Sequence, residues 1–196
     1  MGLLLGASLT CLNIIVLNFI VYDLEATCWK GAPPNDVQEI IEIGAIKLNG
    51  FGEELGSFNK FVRPKVNQAL SAFCKELTGI DQQQVDRAGN FDMVIENFFD
   101  WGNIFEEDYL LISWGKEDQS LLRNDCQLHD IESDWLHPHL NLKNAYQALK
   151  RLRKPTGLRK TLDIEGFEFD GSPHRAIDDA VNTVKIFRQY VDEWPY

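Results

Sequence analysis

Basic charge is scarce in this sequence of 196 residues. Its 30 Asp and Glu residues outnumber its 19 Lys and Arg residues, which gives a formal net charge of −11 at pH 7. A field of that sign argues against a protein that coats duplex nucleic acid through overall positive charge. It does not argue against a protein that holds the end of a single strand, because such a protein needs positive charge only locally.

Cysteine is also scarce, and its spacing excludes two classes of small stabilised domain. The sequence has no CxxC pair and no dense cysteine framework, so neither a structural zinc site nor a disulfide scaffold is indicated. We expect buried or incidental thiols and a cytoplasmic location, where the environment is reducing. The cysteines are Cys11, Cys28, Cys74 and Cys126.

Repeats and low-complexity stretches are absent as well. With 44% hydrophobic residues in 196, the chain is long enough to bury one sizeable core. We therefore predict a single domain over residues 13–196.

The first dozen residues are apolar, but they lack the basic region that begins a secretory signal. A membrane-spanning helix would need about 20 residues and would use up the strand that follows. We interpret residues 1–12 as an extension of unknown role and expect no membrane association. An export or membrane role is the less favoured alternative.

A run rich in β-branched and aromatic residues from Ile14 to Tyr22 predicts a buried strand, and two acids follow it directly. Because alternate side chains of a strand point to opposite faces, Asp23 and Glu25 share one side. Two crowded carboxylates resist joint ionisation unless a cation lies between them. Taken alone, the pair indicates either a metal site or a solvated turn.

Further periodic segments indicate an α/β architecture. We predict strands over Val37–Leu48, Leu55–Val62 and Tyr109–Trp114, and a helix that runs from Phe91 to Gly102. The first three strands follow one another with short turns, so they read as an antiparallel meander. Together these segments predict a mixed, roughly five-stranded sheet flanked by helices.

Three more polar residues come at predicted helix starts. Asp118 falls in the first turn of a helix that begins near Glu117, just past a strand end, where α/β sheets place their ligands. His174 and Asp179 open a long amphipathic helix from Arg175 to Glu193. Each residue alone could simply cap its helix. Four acids and one imidazole together suit two magnesium ions and an attacking water at a phosphodiester bond.

The order Asp23-x-Glu25, Asp118, His174-x₄-Asp179 resembles that of the DEDDh (DnaQ-like) 3′-to-5′ exonuclease superfamily, and most closely its histone-mRNA-exonuclease/KapD-like group. The matching segments span residues 15 to 190, whereas residues 1–12 depart from the pattern. The segments are Asp23-Leu24-Glu25-Ala26-Thr27-Cys28-Trp29, Glu39-Ile40-Ile41-Glu42-Ile43-Gly44, Leu77-Thr78-Gly79-Ile80-Asp81-Gln82, Ser113-Trp114-Gly115-x₂-Asp118, Asn141-Leu142-Lys143 and His174-Arg175-Ala176-Ile177-Asp178-Asp179-Ala180.

The resemblance implies an RNase H-like fold and stepwise hydrolysis from a 3′ end that releases nucleoside 5′-monophosphates. It implies that the four acids hold two Mg²⁺ or Mn²⁺ ions, with Asp23 as the bridge, and that His174 is the general base. The group favours RNA 3′ ends over DNA, with a possible protein partner for targeting. A DNA-proofreading exonuclease and a non-catalytic nucleic-acid-binding protein on the same fold are the alternatives.

Contacts with the substrate are expected from two regions. No acid occurs between Asp134 and Asp163, yet seven basic residues do. This stretch could be a solvated surface or a track that holds phosphates without reading sequence, for which Arg151, Arg153 and Lys154 are our candidates.

Near the acids, the backbone of Ala26 and Thr27 is expected to border the terminal sugar. Trp29 could stack on a base or plug the following loop, and both readings are equally weighted. By resemblance, Leu77 or Ile80 would wedge against the last base, although apolar residues before a helix are more often core.

Overall fold

A computed structural model describes residues 17–196, apart from the side chain of Asn35. The predictions for residues 1–12, the domain boundary at residue 13 and the first part of the predicted strand, Ile14–Val16, lie outside the described residues. Within that range, no helix has the length and apolarity needed to cross a bilayer.

The core of the fold is one six-stranded mixed sheet in the order β4-β3-β2-β1-β5-β6. Strands β1, β2 and β3 form an antiparallel meander, whereas β5 pairs parallel to β1, β6 parallel to β5, and β4 parallel to β3. The strands are β1 (Asn18–Ala26), β2 (Ile40–Leu48), β3 (Glu54–Arg63), β4 (Gly89–Asn90), β5 (Tyr109–Ser113) and β6 (His139–Asn141).

Helices cover both faces of the sheet. They are α1 (Ala72–Thr78), α2 (Gln82–Asp86), α3 (Phe91–Gly102), α4 (Glu117–Leu128), α5 (Leu142–Leu149), α6 (Leu158–Glu165) and α7 (Ala176–Gln189). Phe98 of α3 and Leu122 of α4 share a buried cluster with Tyr22 of β1. Phe187 of α7 is buried in a second cluster with Val21. The sheet therefore separates two apolar layers.

Strand β1 contributes to both layers, which explains its nearly continuous apolar sequence. Ile20, Tyr22 and Leu24 lie in the layer of α3 and α4. Phe19 and Val21 lie in the layer of α7. By the same alternation, Asp23 and Glu25 project toward the α7 side.

The long predicted elements are confirmed, and the differences concern their ends. The acids lie within β1, which ends at Ala26 rather than at Tyr22. Strand β2 begins at Ile40 rather than Val37, and residues 37–39 link it to a 3₁₀ turn over Pro34–Asp36. The last helix ends at Gln189 rather than Glu193. The sheet has six strands, not roughly five.

Candidate active site

Three of the predicted acids converge on one point. Asp23, Glu25 and Asp179 each offer a carboxylate oxygen, and these oxygens lie within 4.8 Å of one another. Two of them come from adjacent positions on one face of β1, and the third comes from the first turn of α7. Residues separated by more than 150 positions in sequence thus meet at the carboxyl end of β1.

The start of α7 fixes Asp179. Its backbone N–H donates to the Arg175 carbonyl oxygen at 2.9 Å. Its Oδ2 accepts the backbone N–H of His174, also at 2.9 Å. The Asp179 carboxylate is therefore held in place by the turn that also carries His174.

Asp118 reaches the site from a different element. Strands β1 and β5 are parallel, so their carboxyl ends share one sheet edge, and α4 begins directly after that edge. Burial raises the pKa of Asp118 to about 7. Its charge acts on Asp23 and Glu25, although its carboxylate lies outside the group of three within 4.8 Å.

The site is strongly electronegative. Burial raises the pKa of Asp23 well above its ordinary value, and the charges of Asp118, Asp179 and Glu25 add to the shift. Burial and the charge of Asp179 raise the pKa of Glu25 to about 8. Such crowding of carboxylates is relieved when a cation lies between them. The donor set contains only oxygen ligands, which suit a hard divalent ion, so the residues fit a metal site of the Mg²⁺ or Mn²⁺ kind.

His174 stands at the solvent side of this cluster. Its side chain is exposed and its φ is 63°, a left-handed conformation that few residues other than glycine adopt. Strain of this kind is often kept where a side chain must point in a required direction. The imidazole is therefore accessible to solvent at the start of the helix that carries Asp179.

Ala26 is the last residue of β1, and Thr27 follows it, so both come directly after Glu25 in the chain. Both residues are buried. The Thr27 hydroxyl accepts the Glu39 backbone N–H at 3.0 Å, and the Thr27 N–H donates to the Glu39 carbonyl oxygen at 2.8 Å. Thr27 thus fixes the backbone here, and its side chain is not free for substrate. Trp29 is partly exposed.

Leu77 and Ile80 have different environments. The side chain of Leu77, at 38% exposure, is one of the large apolar groups at the surface. Ile80 is fully buried, in a cluster with Ile41, Cys74 and Val85. The expectation that Ile80 could wedge against a base is corrected by this burial, and Leu77 is left as the candidate.

The structure does not bring the basic stretch into the acid cluster. Arg151, Arg153 and Lys154 are exposed in the loop after α5, a helix of eight residues and about 12 Å that begins at the site edge. None of the salt bridges between residues 17 and 196 involves these three side chains. Lys150, by contrast, pairs with Glu165 at 3.0 Å and is used in packing.

Sequence reasoning missed two charged residues beside the acids. The Glu42 side chain is completely buried in β2, opposite Glu25 in the strand register. It forms a salt bridge with Arg175, whose Nη2 lies 2.8 Å from Glu42 Oε1. A glutamate in the middle of the apolar run Ile40-Ile41-Glu42-Ile43 is the signal that could have indicated a paired, buried charge.

Comparison with known proteins agrees with this geometry. The model of the family described as Exonuclease (RNase_T) matches residues 20–187. Human 3′-5′ exoribonuclease 1 is 37% identical over 174 residues, covering 85% of this chain and 50% of the human protein. Human ERI1 exoribonuclease 2 is 32% identical over 189 residues, covering 85% of this chain and 27% of its own. The chain thus spans half the length or less of these two relatives.

Solved structures give the same result. The nuclease domain of 3′hExo, a DEDDh family member bound to rAMP, superposes with a TM-score of 0.83 at 34% identity, covering 90% of this chain and 92% of that one. A 3′-exonuclease structure described as recognising the histone mRNA stem-loop gives a TM-score of 0.84 at 34% identity, covering 90% and 64%. The chain belongs to the Exonuclease (RNase_T) family and, within it, to the DEDDh exonucleases of the histone-mRNA-exonuclease group.

Proposed function

We propose that this chain is a metal-dependent 3′-to-5′ exoribonuclease. It hydrolyses phosphodiester bonds at the 3′ end of single-stranded or overhanging RNA and releases nucleoside 5′-monophosphates. The observation that carries the proposal is the convergence of Asp23, Glu25 and Asp179 within 4.8 Å, in a chain of the DEDDh family.

Each acid has a part in this proposal. Asp23, Glu25, Asp118 and Asp179 would hold two Mg²⁺ or Mn²⁺ ions, and the charges of the other three acids all act on Asp23. Bound there, the ions supply an activated attacking water and charge stabilisation for the leaving 3′ oxygen. Without a cation, these acids would repel the phosphate of a substrate.

His174 is the proposed general base. Its exposed imidazole takes up the proton of the attacking water and releases it to solvent. The backbone bond from His174 to Asp179 places the base and a metal ligand on the same turn. This turn therefore couples proton transfer to the position of the metal site.

The relatives support RNA as the substrate. The similar human protein is named an exoribonuclease, and the similar nuclease domain was solved with rAMP, a ribonucleoside monophosphate. We propose that the backbone of Ala26 and Thr27 and the side chains of Trp29 and Leu77 border the terminal nucleotide. Cys28, Cys74 and Cys126 are free thiols, which supports the further proposal of a reducing location such as the cytoplasm.

The test uses matched single-stranded RNA and DNA, labelled at either end, with Mg²⁺, Mn²⁺ or a chelator. We expect stepwise shortening from the 3′ end, faster on RNA, which disappears in the chelator and in Asp23→Asn. Asp192→Asn, which removes a charge from the exposed segment after α7, is the matched control and should retain activity. Binding of RNA without cleavage under every metal condition would contradict the proposal. A higher rate on DNA would favour the DNA-proofreading class.

A further inference from the structure

A salt bridge between Glu42, which is fully buried, and Arg175, which is partly exposed, joins the sheet to the first turn of α7. Arg175 Nε lies 3.1 Å from Glu42 Oε2, and Nη2 lies 2.8 Å from Oε1, so the guanidinium and carboxylate meet in a two-point contact. Glu42 Oε2 also accepts the Ala176 backbone N–H at 3.1 Å. Planar, two-point contacts of this kind fix orientation as well as distance.

Close packing at Gly44, two residues after Glu42 on β2, also holds α7 against the sheet. A Cβ atom at Gly44 would lie 2.2 Å from the backbone of Ala176 and Ile177, so only glycine permits the approach. Arg175 also lies over the ring of Phe61 on β3, with 5.5 Å from its guanidinium carbon to the ring centroid. The helix start is therefore held against the sheet by contact, by hydrogen bonds and by charge.

The Glu42–Arg175 contact lies next to the proposed catalytic residues, both along the chain and in the sheet. Arg175 follows His174, and its carbonyl oxygen accepts the N–H of Asp179 at 2.9 Å. On the sheet side, Glu42 is paired in register with Glu25. One salt bridge thus spans the interval between the acids of β1 and the two functional residues at the start of α7.

We infer that Glu42 and Arg175 are positioning residues of the active site. Neither is proposed to touch the substrate or the metal ions. Their two-point contact sets the height and rotation of α7 so that Asp179 meets Asp23 and Glu25, and so that His174 faces the same point. The inference rests on the proposed function for its catalytic consequence.

A second arginine on the same helix provides the matched control. Arg188 donates from Nε to the Gly52 carbonyl oxygen at 2.6 Å, which anchors the opposite end of α7 to the turn between β2 and β3. It lies 13 residues from Arg175, about 20 Å along a helix. Changing either arginine to lysine keeps the charge and removes the planar fork. Arg175→Lys disturbs a two-point contact with a carboxylate at the start of α7, whereas Arg188→Lys disturbs one hydrogen bond to a carbonyl oxygen near its end.

Three measurements on the full chain separate positioning from general stability. They are the free energy of unfolding without metal, the Kd for Mn²⁺ without nucleic acid, and kcat and KM on a short RNA. For Arg175→Lys we expect a Kd for Mn²⁺ and a kcat that are each about 10- to 100-fold worse, with KM nearly unchanged. Arg188→Lys, which disturbs one hydrogen bond far from the acids, should show neither effect. Glu42→Gln, which keeps one acceptor oxygen but removes the charge that pairs with Arg175, should show the same two effects.

Amide hydrogen exchange of residues 172–180 in the metal-free protein gives a readout that needs no activity. We expect faster exchange in this segment for Arg175→Lys than for Arg188→Lys. Equal exchange and equal Mn²⁺ affinity in the two variants would overturn the inference. If the wild type neither binds Mn²⁺ nor cleaves RNA, the proposed function fails, and the exchange of residues 172–180 alone decides the positioning role.

Discussion

Asp125 is a buried carboxyl group outside the proposed active site. Its Oδ2 accepts the backbone N–H of Ile40 at 2.7 Å, where β2 begins. Burial, with a smaller contribution from the charge of Glu39, raises its pKa from 3.8 to about 7. The folded state therefore binds this proton more tightly than the unfolded state does. Its contribution to stability is complete below about pH 4 and is lost as the pH rises through 7.

We predict that Asp125→Asn makes the protein more stable than the wild type above pH 7 and leaves stability at pH 4 nearly unchanged. The amide oxygen still accepts the Ile40 N–H, but no charge has to be buried. The wild type should lose at most about 1.4 kcal/mol per pH unit across this interval through Asp125. Denaturant unfolding of metal-free protein at several pH values measures the difference.

Asp125→Ala is the control for this prediction. It removes the charge together with the acceptor, so the buried Ile40 N–H loses its partner at a cost of about 1 to 3 kcal/mol. It should therefore be less stable than Asp125→Asn at every pH. Equal pH dependence in the wild type and Asp125→Asn would contradict the burial of a charge at this position.

At His174, we expect a substitution to lower the rate of the reaction without changing the stability of the fold. Because its side chain is exposed, His174→Gln should leave the free energy of unfolding unchanged. Loss of the general base should lower kcat by about 100-fold or more. Single-turnover assays and thermal melts give the two quantities, with His137→Gln as a control at another exposed histidine. A variant that keeps full kcat would exclude His174 as the base.

The helices of twelve or more residues could be read from the sequence because their periodicity is long enough to be distinctive. Helix α3, from Phe91 to Gly102, is found as predicted. Strands β4 and β6, of two and three residues, carry too few alternations to be recognised, and they form because β3 and β5 offer open edges. Short edge strands are thus the part of the fold that depends on tertiary pairing.

The candidate site also contains residues that the sequence predicts and contacts that only the folded structure reveals. The acids of β1 and α7 could be predicted because their order along the chain is a family pattern. The contact of Glu42 with Arg175 could not be predicted, because it joins residues 133 positions apart through a register that only the folded sheet sets. Gly44 belongs to this group too, since its need to be glycine comes from the backbone of another element.

We predict that Gly44→Ala separates β2 from α7. The added Cβ would lie 2.2 Å from the Ala176 backbone, which cannot move aside as a flexible side chain would. We expect a loss of about 1 to 3 kcal/mol or more in the free energy of unfolding. Unfolding in denaturant measures the loss. Gly31→Ala, at a position with no atom within 4 Å of the new Cβ, should leave stability nearly unchanged.

Over the whole molecule, charge is divided between regions of opposite sign. The net charge is −11, and several acids are concentrated at the site where a phosphate would have to approach. Arg151, Arg153 and Lys154 are exposed in the loop after α5, one helix length from the site edge. A nucleic-acid strand that extends from the site along α5 would be several nucleotides long when it reached these three residues.

The last prediction concerns this basic loop. If it holds the strand, changing Arg151, Arg153 and Lys154 together to glutamine should raise KM for long RNA and leave KM for a dinucleotide unchanged, because only the long strand reaches the loop. The slope of log affinity against log salt concentration should become shallower by about 2. Each contact between a protein cation and a phosphate of a single strand contributes about 0.7 to this slope, and three contacts are lost. The control is a second triple change to glutamine, at Lys60 and Arg63 of β3 and at Arg87 just after α2, which removes the same amount of charge from another exposed surface. If both triple variants weaken long-RNA binding to the same extent, overall charge rather than a local track determines the affinity.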